Sequence, residues 1–598
     1  MPDWFYRTVA RYCLDRLPDR LARTIALETI GTLGRSAPGR AVIDFLGHMR
    51  APNDLAGSRR GVAWRSPVGL GPWIDPEGRA TRALARFGTG FIEVGPVDVA
   101  DRPGEPPRRA PDGLIVPPAE QRAATAASTW QARLAHREVN GVPVWIRIAV
   151  DPALPPESAQ QAIESIAAVL ASEARVFVVE RPPAGRTLRL PRPWLRVGEP
   201  DTDDLGGWAG VVLDPERTGC TSEHVREARQ RLGPDPVLVA AGTGDPADLR
   251  TLLRAGADLV TADGALRATG PGVIKRTNEL LAASLPQTRV DDTRPTTKQA
   301  WFWAVVLGAA LAGGGLLTLF LALGPVLLPY DEHHLGIDAA TLQRLMPRLH
   351  DFMAHDRATL AGTMLGLGGF YLLLAREGVR RGQHWAHTAI RTSALTGFAT
   401  FFFFLGFGYF DPLHAFVSAV LLQFTIALVI ASRRPASATV DTVPDERSDA
   451  VWRRAQWGQL LLVLHAAGLL IAGLVISTIG MTAVFVATDL AFLCATVDDL
   501  ARFNDRLIGV VAHDRAALGG MLLASGLAQL LATLWGMRRG RRWLWLGLLV
   551  LGLPAYTATL GIHLWVGYTD AWHLAPAFAG LTLWLGGVAL TADWMRDR

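Results

Sequence analysis

Cysteine is scarce in this chain, and its scarcity excludes two ways of stabilising a fold. Only 3 of the 598 residues are cysteines, and Cys13, Cys220 and Cys494 lie far apart in the sequence. They lack the short spacing of a zinc-binding motif and suggest no disulfide framework. The net charge of +5 is also modest. Arginines clustered beside apolar segments explain that charge better than nucleic-acid binding, so we expect no nucleic-acid partner.

Long apolar runs are absent before residue 300 and frequent after it. Residues 1–20 carry charge throughout and contain no apolar stretch, so we expect no signal peptide and a cytosolic front half. Residues 301–328 contain no charged residue, and about 20 apolar residues suffice to cross a bilayer. We therefore predict a multi-pass protein of the cell membrane. Its eight predicted spans are 302–327, 358–375, 390–408, 413–432, 458–486, 515–536, 543–567 and 573–592.

The membrane half contains one sequence pattern twice. The recurring blocks are FMAHDRATLAG (352–362) with VVAHDRAALGG (510–520), VRRGQHW (379–385) with MRRGRRW (537–543), and GYFDPLH (408–414) with GYTDAWH (567–573). The first two pairs are 158 residues apart and the third is 159 apart. Three blocks in one order predict two copies of a four-span unit, related by a pseudo-two-fold axis along the membrane normal.

Arginines in the short loops predict the orientation of these spans. The loops after the second and sixth spans are rich in arginine, as is the segment between the copies, and such loops stay in the cytosol. Both termini are then cytosolic, and the opposite loops face outward. Six arginines also lie in those outward loops and weaken the signal: Arg344, Arg348, Arg357, Arg502, Arg506 and Arg515.

The repeated blocks place histidines and carboxylates beside the spans at one membrane face. These residues are His355, Asp356, Asp411 and His414 in the first copy, and His513, Asp514, Asp570 and His573 in the second. If the four residues of a copy converge, they suit zinc, another divalent metal or a proton relay.

Two alternatives stay open for these blocks. In one, Asp356 or Asp514 caps a helix N-terminus, and Tyr409 and Tyr568 anchor the membrane interface. In the other, the blocks contact a bound lipid or quinone. The DEHH run at 331–334 lacks its histidines in the second copy, so we predict a solvated loop there.

The front half alternates short β-branched runs with helical stretches. Its eight candidate strands are 66–73, 91–97, 142–150, 176–182, 193–199, 210–214, 236–242 and 258–264. Clear helices follow some of them, at 222–232 and 246–256. This alternation predicts an α/β fold with a parallel sheet, a TIM-type (β/α)₈ barrel, fused to the all-α membrane domain. Strands four to six are too closely spaced for full helices, so the barrel is trimmed.

Three stretches of the front half resemble the dihydroorotate dehydrogenase family. Residues 66–97 (SPVGLGPWIDPEG…FIEVGPV) resemble that family's opening, and 236–282 (PVLVAAGTG…GPGVIKRTNELLA) resemble its end. Residues 4–30 are similar to the paired helices of its quinone-dependent, membrane-associated class. With the repeat, the resemblance divides the chain into N-terminal helices 1–60, barrel 61–284, linker 285–300, first membrane repeat 301–432, cytosolic linker 433–456 and second membrane repeat 457–595.

The resemblance implies oxidation of dihydroorotate to orotate, in pyrimidine biosynthesis, with FMN as cofactor and a quinone as acceptor. It places the FMN phosphate on backbone N–H groups after strands seven and eight, and the flavin ring beside the first strands. The residues that keep these positions are Gly242, Thr243, Gly244 and Gly264 for the phosphate, and Gly69, Gly71 and Gly95 for the ring.

The residues of the family's chemistry are largely replaced here. The lysine that contacts flavin and substrate corresponds to Pro76, the orotate-binding loop to 114–120, and the segment of the serine base to 177–186. A second lysine is kept only in charge, as Arg196, and a substrate-binding segment appears as LDPE at 213–216. These losses leave it open whether FMN binds and whether the barrel is an enzyme.

Glu180 is the one substitute base that the sequence offers, and it is a weak candidate. A base must lie within hydrogen-bond reach of the proton it takes. The alternative is a solvated carboxylate at the end of a strand, paired with Arg181 or Arg186.

Three functions follow from the sequence. The first is a quinone-linked, FMN-dependent oxidoreductase, and the second is an inactive barrel that serves as a cytosolic module. The third places the function in the membrane repeat, which would handle a metal ion, a proton or a small solute. Fold alone does not decide among them.

Overall fold

A computed structural model describes residues 3–110, 113–135, 139–200, 207–213, 219–285, 295–401, 409–432 and 444–597. Contacts divide the chain into two compact units. One comprises Met1–Gln287 with Val443–Gln456, and the other Thr288–Thr442 with Trp457–Arg598.

The first unit is built on a parallel sheet. The strands are β1 Gly57–Arg59, β2 Val62–Trp64, β3 Val68–Gly69, β4 Ile92–Asp98, β5 Arg108–Ala110, β6 Gly113–Ile115, β7 Thr125–Ala126, β8 Val144–Ile148, β9 Val176–Val179, β10 Trp194–Val197, β11 Gly210–Leu213, β12 Val237–Ala241 and β13 Leu259–Thr261. Nine of them form one sheet in the order β3-β13-β12-β11-β10-β9-β8-β4-β7, with every pairing parallel. All eight predicted strands belong to it, which confirms the parallel α/β class.

Backbone hydrogen bonds also link the beginning of this sheet to β4. The N–H of Leu70, just after β3, donates to the carbonyl of Phe91 at 3.1 Å, and the N–H of Glu93 donates to the carbonyl of Leu70 at 2.8 Å. Strand β3 therefore has partners on both sides, β13 and the start of β4. Two antiparallel hairpins, β1-β2 and β5-β6, were not predicted, because strands of three residues are too short to show alternation.

The helices of the first unit lie before, between and after these strands in the sequence. They are α1 Asp3–Phe5, α2 Arg11–Leu14, α3 Asp19–Arg35, α4 Ala37–Gly47, α5 Thr81–Leu84, α6 Ala127–Leu134, α7 Pro156–Val169, α8 Ser222–Leu232, α9 Pro246–Arg254, α10 Asp263–Thr269 and α11 Gly272–Ala283. Residues 181–193, between β9 and β10, contain no helix, as the tight spacing predicted.

The strands bury side chains on both faces, and β8 shows how. Ile146 and Ile148 join the cluster that contains helix residues such as Ile163. Trp145 belongs to a separate cluster made of strand residues and stacks on Phe91, with ring centroids 4.0 Å apart. Since side chains alternate along a strand, Arg147 shares the face of Trp145.

The second unit is helical. Its helices are α12 Pro295–Leu323, α13 Pro329–Leu335, α14 Ala339–Leu345, α15 Pro347–Leu373, α16 His384–Phe401, α17 Pro412–Ala431, α18 Ala450–Met481 (which begins in the first unit), α19 Ala487–Leu493, α20 Val497–Phe503, α21 Leu507–Leu531, α22 Arg542–Val566 and α23 Ala571–Arg596. Within the described residues, seven segments are long and apolar enough to cross a membrane: Gln299–Leu323, Pro347–Val379, Pro412–Ala431, Ala450–Met481, Leu507–Gly536, Arg542–Val566 and Ala571–Arg596.

These seven segments match every predicted span except the third. The third prediction, 390–408, overlaps α16, and its residues 402–408 lie outside the described part of the chain. The inward and outward faces inferred from arginines stay a prediction.

Two expectations about the repeated blocks are wrong. α15 begins at Pro347 and α21 at Leu507, so the His-Asp-Arg triplets lie inside long helices and not in loops or at helix starts. The sequence predicts span boundaries at these charged triplets, because it does not show the buried partners that come from distant segments. The DEHH run is also not a solvated loop, since it lies in α13 and Asp331 is fully buried.

Candidate functional sites

The strand ends of the first unit meet in a buried network of ion pairs. Arg147 Nε on β8 lies 2.5 Å from Glu93 Oε1 on β4. Glu180, directly after β9, has Oε1 at 2.8 Å from Arg122 Nη1 and 3.3 Å from Arg147 Nη1. None of these four side chains is more than 5% exposed. Each buried charge therefore has an opposite charge beside it, as buried ions require.

Trp73 completes this network. Its ring lies 4.8 Å from the guanidinium carbon of Arg122 and 4.9 Å from that of Arg147, both within cation–π range. Arg122 Nε also donates to the carbonyl of Pro117 at 2.8 Å. Pro117 lies in segment 114–120, which the resemblance matched to an orotate-binding loop, and this segment contacts a side chain of the chain itself.

Glu180 is not the solvated carboxylate that the alternative interpretation described. Arg181 pairs with Glu120, and Arg186 lies 3.8 Å from Glu157. The partners of Glu180 come from other segments, which its own neighbours could not reveal. The Glu180 carboxylate is therefore already paired with two guanidiniums.

The positions predicted for the flavin ring are in close contact with the chain's own side chains. A Cβ at Gly69 would lie 2.5 Å from the ring of Phe91. The N–H of Gly71 donates to Asp263 Oδ1 at 2.7 Å, and that of Trp73 to Oδ2 at 2.9 Å. Gly95 lies in β4, where a Cβ would meet the carbonyl oxygen of Arg147 at 2.6 Å.

The predicted phosphate positions are similarly engaged. The N–H of Gly242 donates to the carbonyl of Thr261 at 2.8 Å. A Cβ on Gly264 would lie 2.7 Å from the Thr243 methyl group, and one on Gly244 would clash with the Asp248 carboxylate. Carboxylates repel a phosphate dianion. With Asp263 also present beside Gly71, the residues do not fit FMN at the positions that the resemblance implies. The LDPE segment lies outside the described residues after Leu213.

Residues 446–448 pack against the start of α9, about 200 residues earlier in the chain. Arg250 of α9 makes two bonds to the Glu446 carboxylate, at 2.9 and 2.7 Å. The carbonyl of Glu446 accepts from the N–H of Ala247 at 3.0 Å, and Ser448 Oγ donates to Asp245 at 2.6 Å. Sequence reasoning treated this segment as a linker, because its partners lie about 200 residues earlier.

The second unit contains a network of buried ion pairs that joins the two repeats. Arg357 Nε lies 2.9 Å from Asp514 Oδ2, and Arg357 Nη2 lies 3.1 Å from Asp331 Oδ2. Each arginine of the two triplets binds one carboxylate of its own copy and one of the other copy. For Arg515 these are Asp489 at 2.7 Å and Asp356 at 3.4 Å.

The tyrosines of the third repeated block belong to the same network. Tyr568 Oη donates to Asp489 Oδ1 at 2.8 Å, and Tyr409 Oη donates to Asp331 Oδ1. Both tyrosines are buried, so they are not interface anchors. Burial and then the adjacent carboxylate raise the pKa of Tyr409 above its usual value. Burial likewise raises the pKa of Tyr568, so each hydroxyl keeps its proton for donation.

The histidines converge across the copies and not within one copy as predicted. One cluster is His355 with His563 and His573, and the other is His513 with His414 and Asp411. Asp411 caps α17 by accepting from the N–H of His414 at 2.8 Å, and Asp570 caps α23 in the same way through His573. The capping role is therefore real, but it belongs to these aspartates and not to Asp356 or Asp514.

His563 was missed by sequence reasoning. It lies inside an apolar span, and the residues 158 and 159 positions earlier are Leu405 and Phe404. A search based on the repeat passes over a residue that only one copy has.

Comparison with known proteins covers less than half of the chain. No protein-family model matches. The dihydroorotate dehydrogenase (quinone) of Deinococcus radiodurans is 27% identical over 338 residues, which cover 45% of this chain and 88% of that protein. About 45% of this chain is therefore similar to a quinone-dependent dihydroorotate dehydrogenase. The Stutzerimonas stutzeri and Burkholderia thailandensis enzymes of the same name are 34% and 35% identical, over 28% and 27% of their lengths.

Two solved structures of the dihydroorotate dehydrogenase from Eimeria tenella also match. The ligand-free form has a TM-score of 0.32 at 16% identity, covering 43% of this chain and 99% of that one. The ferulenol complex has a TM-score of 0.34 at 14% identity, covering 45% and 93%.

Proposed function

We propose that this chain is an integral membrane protein whose dihydroorotate dehydrogenase-like barrel does not oxidise dihydroorotate. The barrel serves as a cytosolic module, and the tandem membrane repeat handles an ion or a proton. The observation that carries this proposal is the network of Glu93, Arg122, Arg147 and Glu180 around Trp73.

The network argues against a flavin because its members satisfy one another. A flavin ring placed at the strand ends would have to separate the Arg147 guanidinium from its carboxylates or displace Trp73. Breaking a buried ion pair by removing one partner costs about 3–5 kcal/mol. The Asp248 carboxylate beside Gly244 would add repulsion at the phosphate, and Asp263 already accepts from the N–H of Gly71 at the ring position. We therefore expect no flavin at this position.

The fold itself is part of the proposal. We infer that the sheet closes into an eight-stranded barrel, with β7 as an addition outside the ring. The hydrogen bonds between Leu70 and residues 91 and 93 support this closure. A barrel that keeps its strands but not its reactive residues agrees with a scaffold role.

The second candidate is oxidation of dihydroorotate with electrons passed to a quinone. It is favoured by the Deinococcus radiodurans enzyme, of which this chain covers 88%. In that case the membrane repeat would hold the barrel near the quinone pool, and the substitutions at Pro76 and Glu180 would be compensated by residues that the family does not use.

An activity assay separates the two. The full-length protein in detergent is supplied with FMN, dihydroorotate and a soluble quinone, with the Deinococcus radiodurans enzyme as positive control. We expect quinone reduction at the rate of the protein-free blank. Reduction that requires both dihydroorotate and FMN would overturn the proposal and establish the second candidate.

A further inference from the structure

Three histidines of the second unit bring one ring nitrogen each close together. His355 lies in α15, His563 in α22 and His573 in α23. One nitrogen from each lies within 4.8 Å of the other two, and the Nε2 atoms of His355 and His563 are 3.0 Å apart. Which of these nitrogens carry protons follows from what the opposite side of each ring contacts.

The carboxylate beside His355 favours one of its two neutral tautomers. Its Nδ1 lies 3.1 Å from Asp356 Oδ1, and the other oxygen of Asp356 faces Arg515 at 3.4 Å. The contact lacks hydrogen-bond geometry, but the negative charge beside Nδ1 favours the proton on that nitrogen. The Nε2 atom of neutral His355 therefore presents a lone pair.

The same argument applies to the other two rings. His563 Nδ1 lies 2.6 Å from the carbonyl oxygen of Thr559, which only accepts. His573 Nδ1 lies 2.9 Å from Tyr568 Oη, whose own proton is donated to Asp489. Both Nδ1 atoms are thus donors, and both Nε2 atoms present lone pairs.

Facing lone pairs require a cation. Two unprotonated imidazole nitrogens 3.0 Å apart repel each other unless a proton or a metal ion lies between them. Zinc binds imidazole nitrogen at about 2.0–2.1 Å, which separates two tetrahedral ligands by about 3.3 Å. The observed distance is within a few tenths of an ångström of that value. The carboxylate behind His355 is the arrangement that orients histidines on metals.

The surrounding charges favour a dication. The buried ion pairs of the two triplets contain four carboxylates, Asp331, Asp356, Asp489 and Asp514, and two guanidiniums, Arg357 and Arg515. With neutral histidines, four negative and two positive charges leave an excess of two negative charges. Buried charge needs compensation, and a divalent ion supplies it.

The second histidine cluster has no such need. His513 Nδ1 lies 3.1 Å from Asp514 Oδ1, so its Nε2 is an acceptor. His414 Nδ1 lies 2.9 Å from that Nε2 and donates to it. The two rings satisfy each other, and this copy has no histidine equivalent to His563. It is therefore a control built into the same chain.

We propose that His355, His563 and His573 bind one divalent transition-metal ion of the zinc class. Three imidazoles leave a fourth coordination position for water or a small ligand, as in catalytic zinc sites. The inference deepens the proposed ion-handling role of the membrane repeat, and it does not depend on whether the barrel is an enzyme.

The test is the metal content of the full-length protein purified without a histidine tag. Wild type and variants are loaded with zinc, freed of unbound metal and assayed by inductively coupled plasma mass spectrometry. We expect about one zinc per chain in wild type and in His414→Ala. We expect loss of that zinc in His563→Gln and in His573→Ala. His563→Gln keeps a polar side chain of similar size, and gel filtration confirms that each variant is folded.

Three outcomes would overturn the proposal. They are wild type without bound zinc, a His563→Gln protein that keeps its zinc, and a His414→Ala protein that loses it. Cobalt(II) gives an independent reading, because a tetrahedral site turns blue and the variants without the site should stay colourless. Failure of the metal test leaves the dihydroorotate assay unaffected, so the two proposals fail separately.

Discussion

Arg147 is the residue on which the arrangement of the strand ends depends most. It binds two carboxylates and covers one face of Trp73. The sequence places it in VWIRI, which predicts a strand but gives no reason for a charge inside it. Its role became visible only when Glu93 and Glu180, from other strands, were brought beside it. Buried ion pairs between distant segments are not visible to local sequence reasoning.

Replacing Arg147 is expected to destabilise the protein strongly. Arg147→Met leaves the buried Glu93 carboxylate without its 2.5 Å partner. We expect a loss of about 3–5 kcal/mol, which is the usual effect of breaking a buried ion pair. The measurement is chemical unfolding followed by tryptophan fluorescence.

A control variant and a partial rescue accompany this prediction. Arg186→Met removes an exposed arginine 3.8 Å from Glu157, and such pairs contribute about 0–1 kcal/mol. Adding Glu93→Gln to Arg147→Met should recover part of the loss. Equal stability of the Arg147 and Arg186 variants would show that the network is not structural.

Among the helices, the contact between α15 and α22 depends on two glycines of α15. Gly362 and Gly366 are four residues apart, so they lie on one helix face. A Cβ on Gly366 would clash with the carbonyl of Leu551, and one on Gly362 would lie 2.7 Å from the carbonyl of Pro554. Small residues at this spacing allow membrane helices to approach closely.

Gly366→Val should weaken this contact. Overpacking a tight interface costs about 1–3 kcal/mol. Gly561→Val on α22 is the matched control, because a Cβ there meets nothing within 4 Å. We expect a lower melting temperature in detergent for Gly366→Val only. Similar melting temperatures for both variants would contradict the packing described here.

The segment at 446–448 makes a further prediction at this scale. Glu446→Ala removes both bonds to Arg250, so the amides of 446–452 should exchange hydrogen faster. Glu157→Ala, which removes only an exposed pair, should leave their exchange unchanged. Protection of these amides in the Glu446 variant would mean that the other contacts of the segment suffice.

The positions of the strands and membrane spans could largely be predicted from the sequence. The buried polar contacts that their side chains make could not. The eight predicted strands of the first unit were found because buried parallel strands appear in sequence as short apolar runs. Seven spans were found from hydropathy alone. The start of α15 was placed too late because the His355-Asp356-Arg357 triplet was read as polar, although its partners in the other copy neutralise it. The histidine cluster was expected within one copy, because the sequence does not show which residues of the other copy lie beside it.

At the scale of the molecule, two units with different sequence statistics share one chain. About 45% of the chain resembles quinone-dependent dihydroorotate dehydrogenases, and the second unit contains three sequence blocks twice. In the first unit, Glu93, Arg122, Arg147 and Glu180 pair with one another around Trp73. In the second unit, Arg357 and Arg515 pair with carboxylates of both sequence copies.

The central claim is that the barrel holds no flavin, and the flavin content of the purified protein tests it most directly. The full-length chain is produced in cells grown with riboflavin, purified in detergent and denatured in acid, and the released flavin is quantified by fluorescence. We predict far less than 0.1 flavin per chain, on the order of trace contamination, because the network occupies the strand ends. Release of about one FMN per chain, in proportion to the protein, would contradict the account.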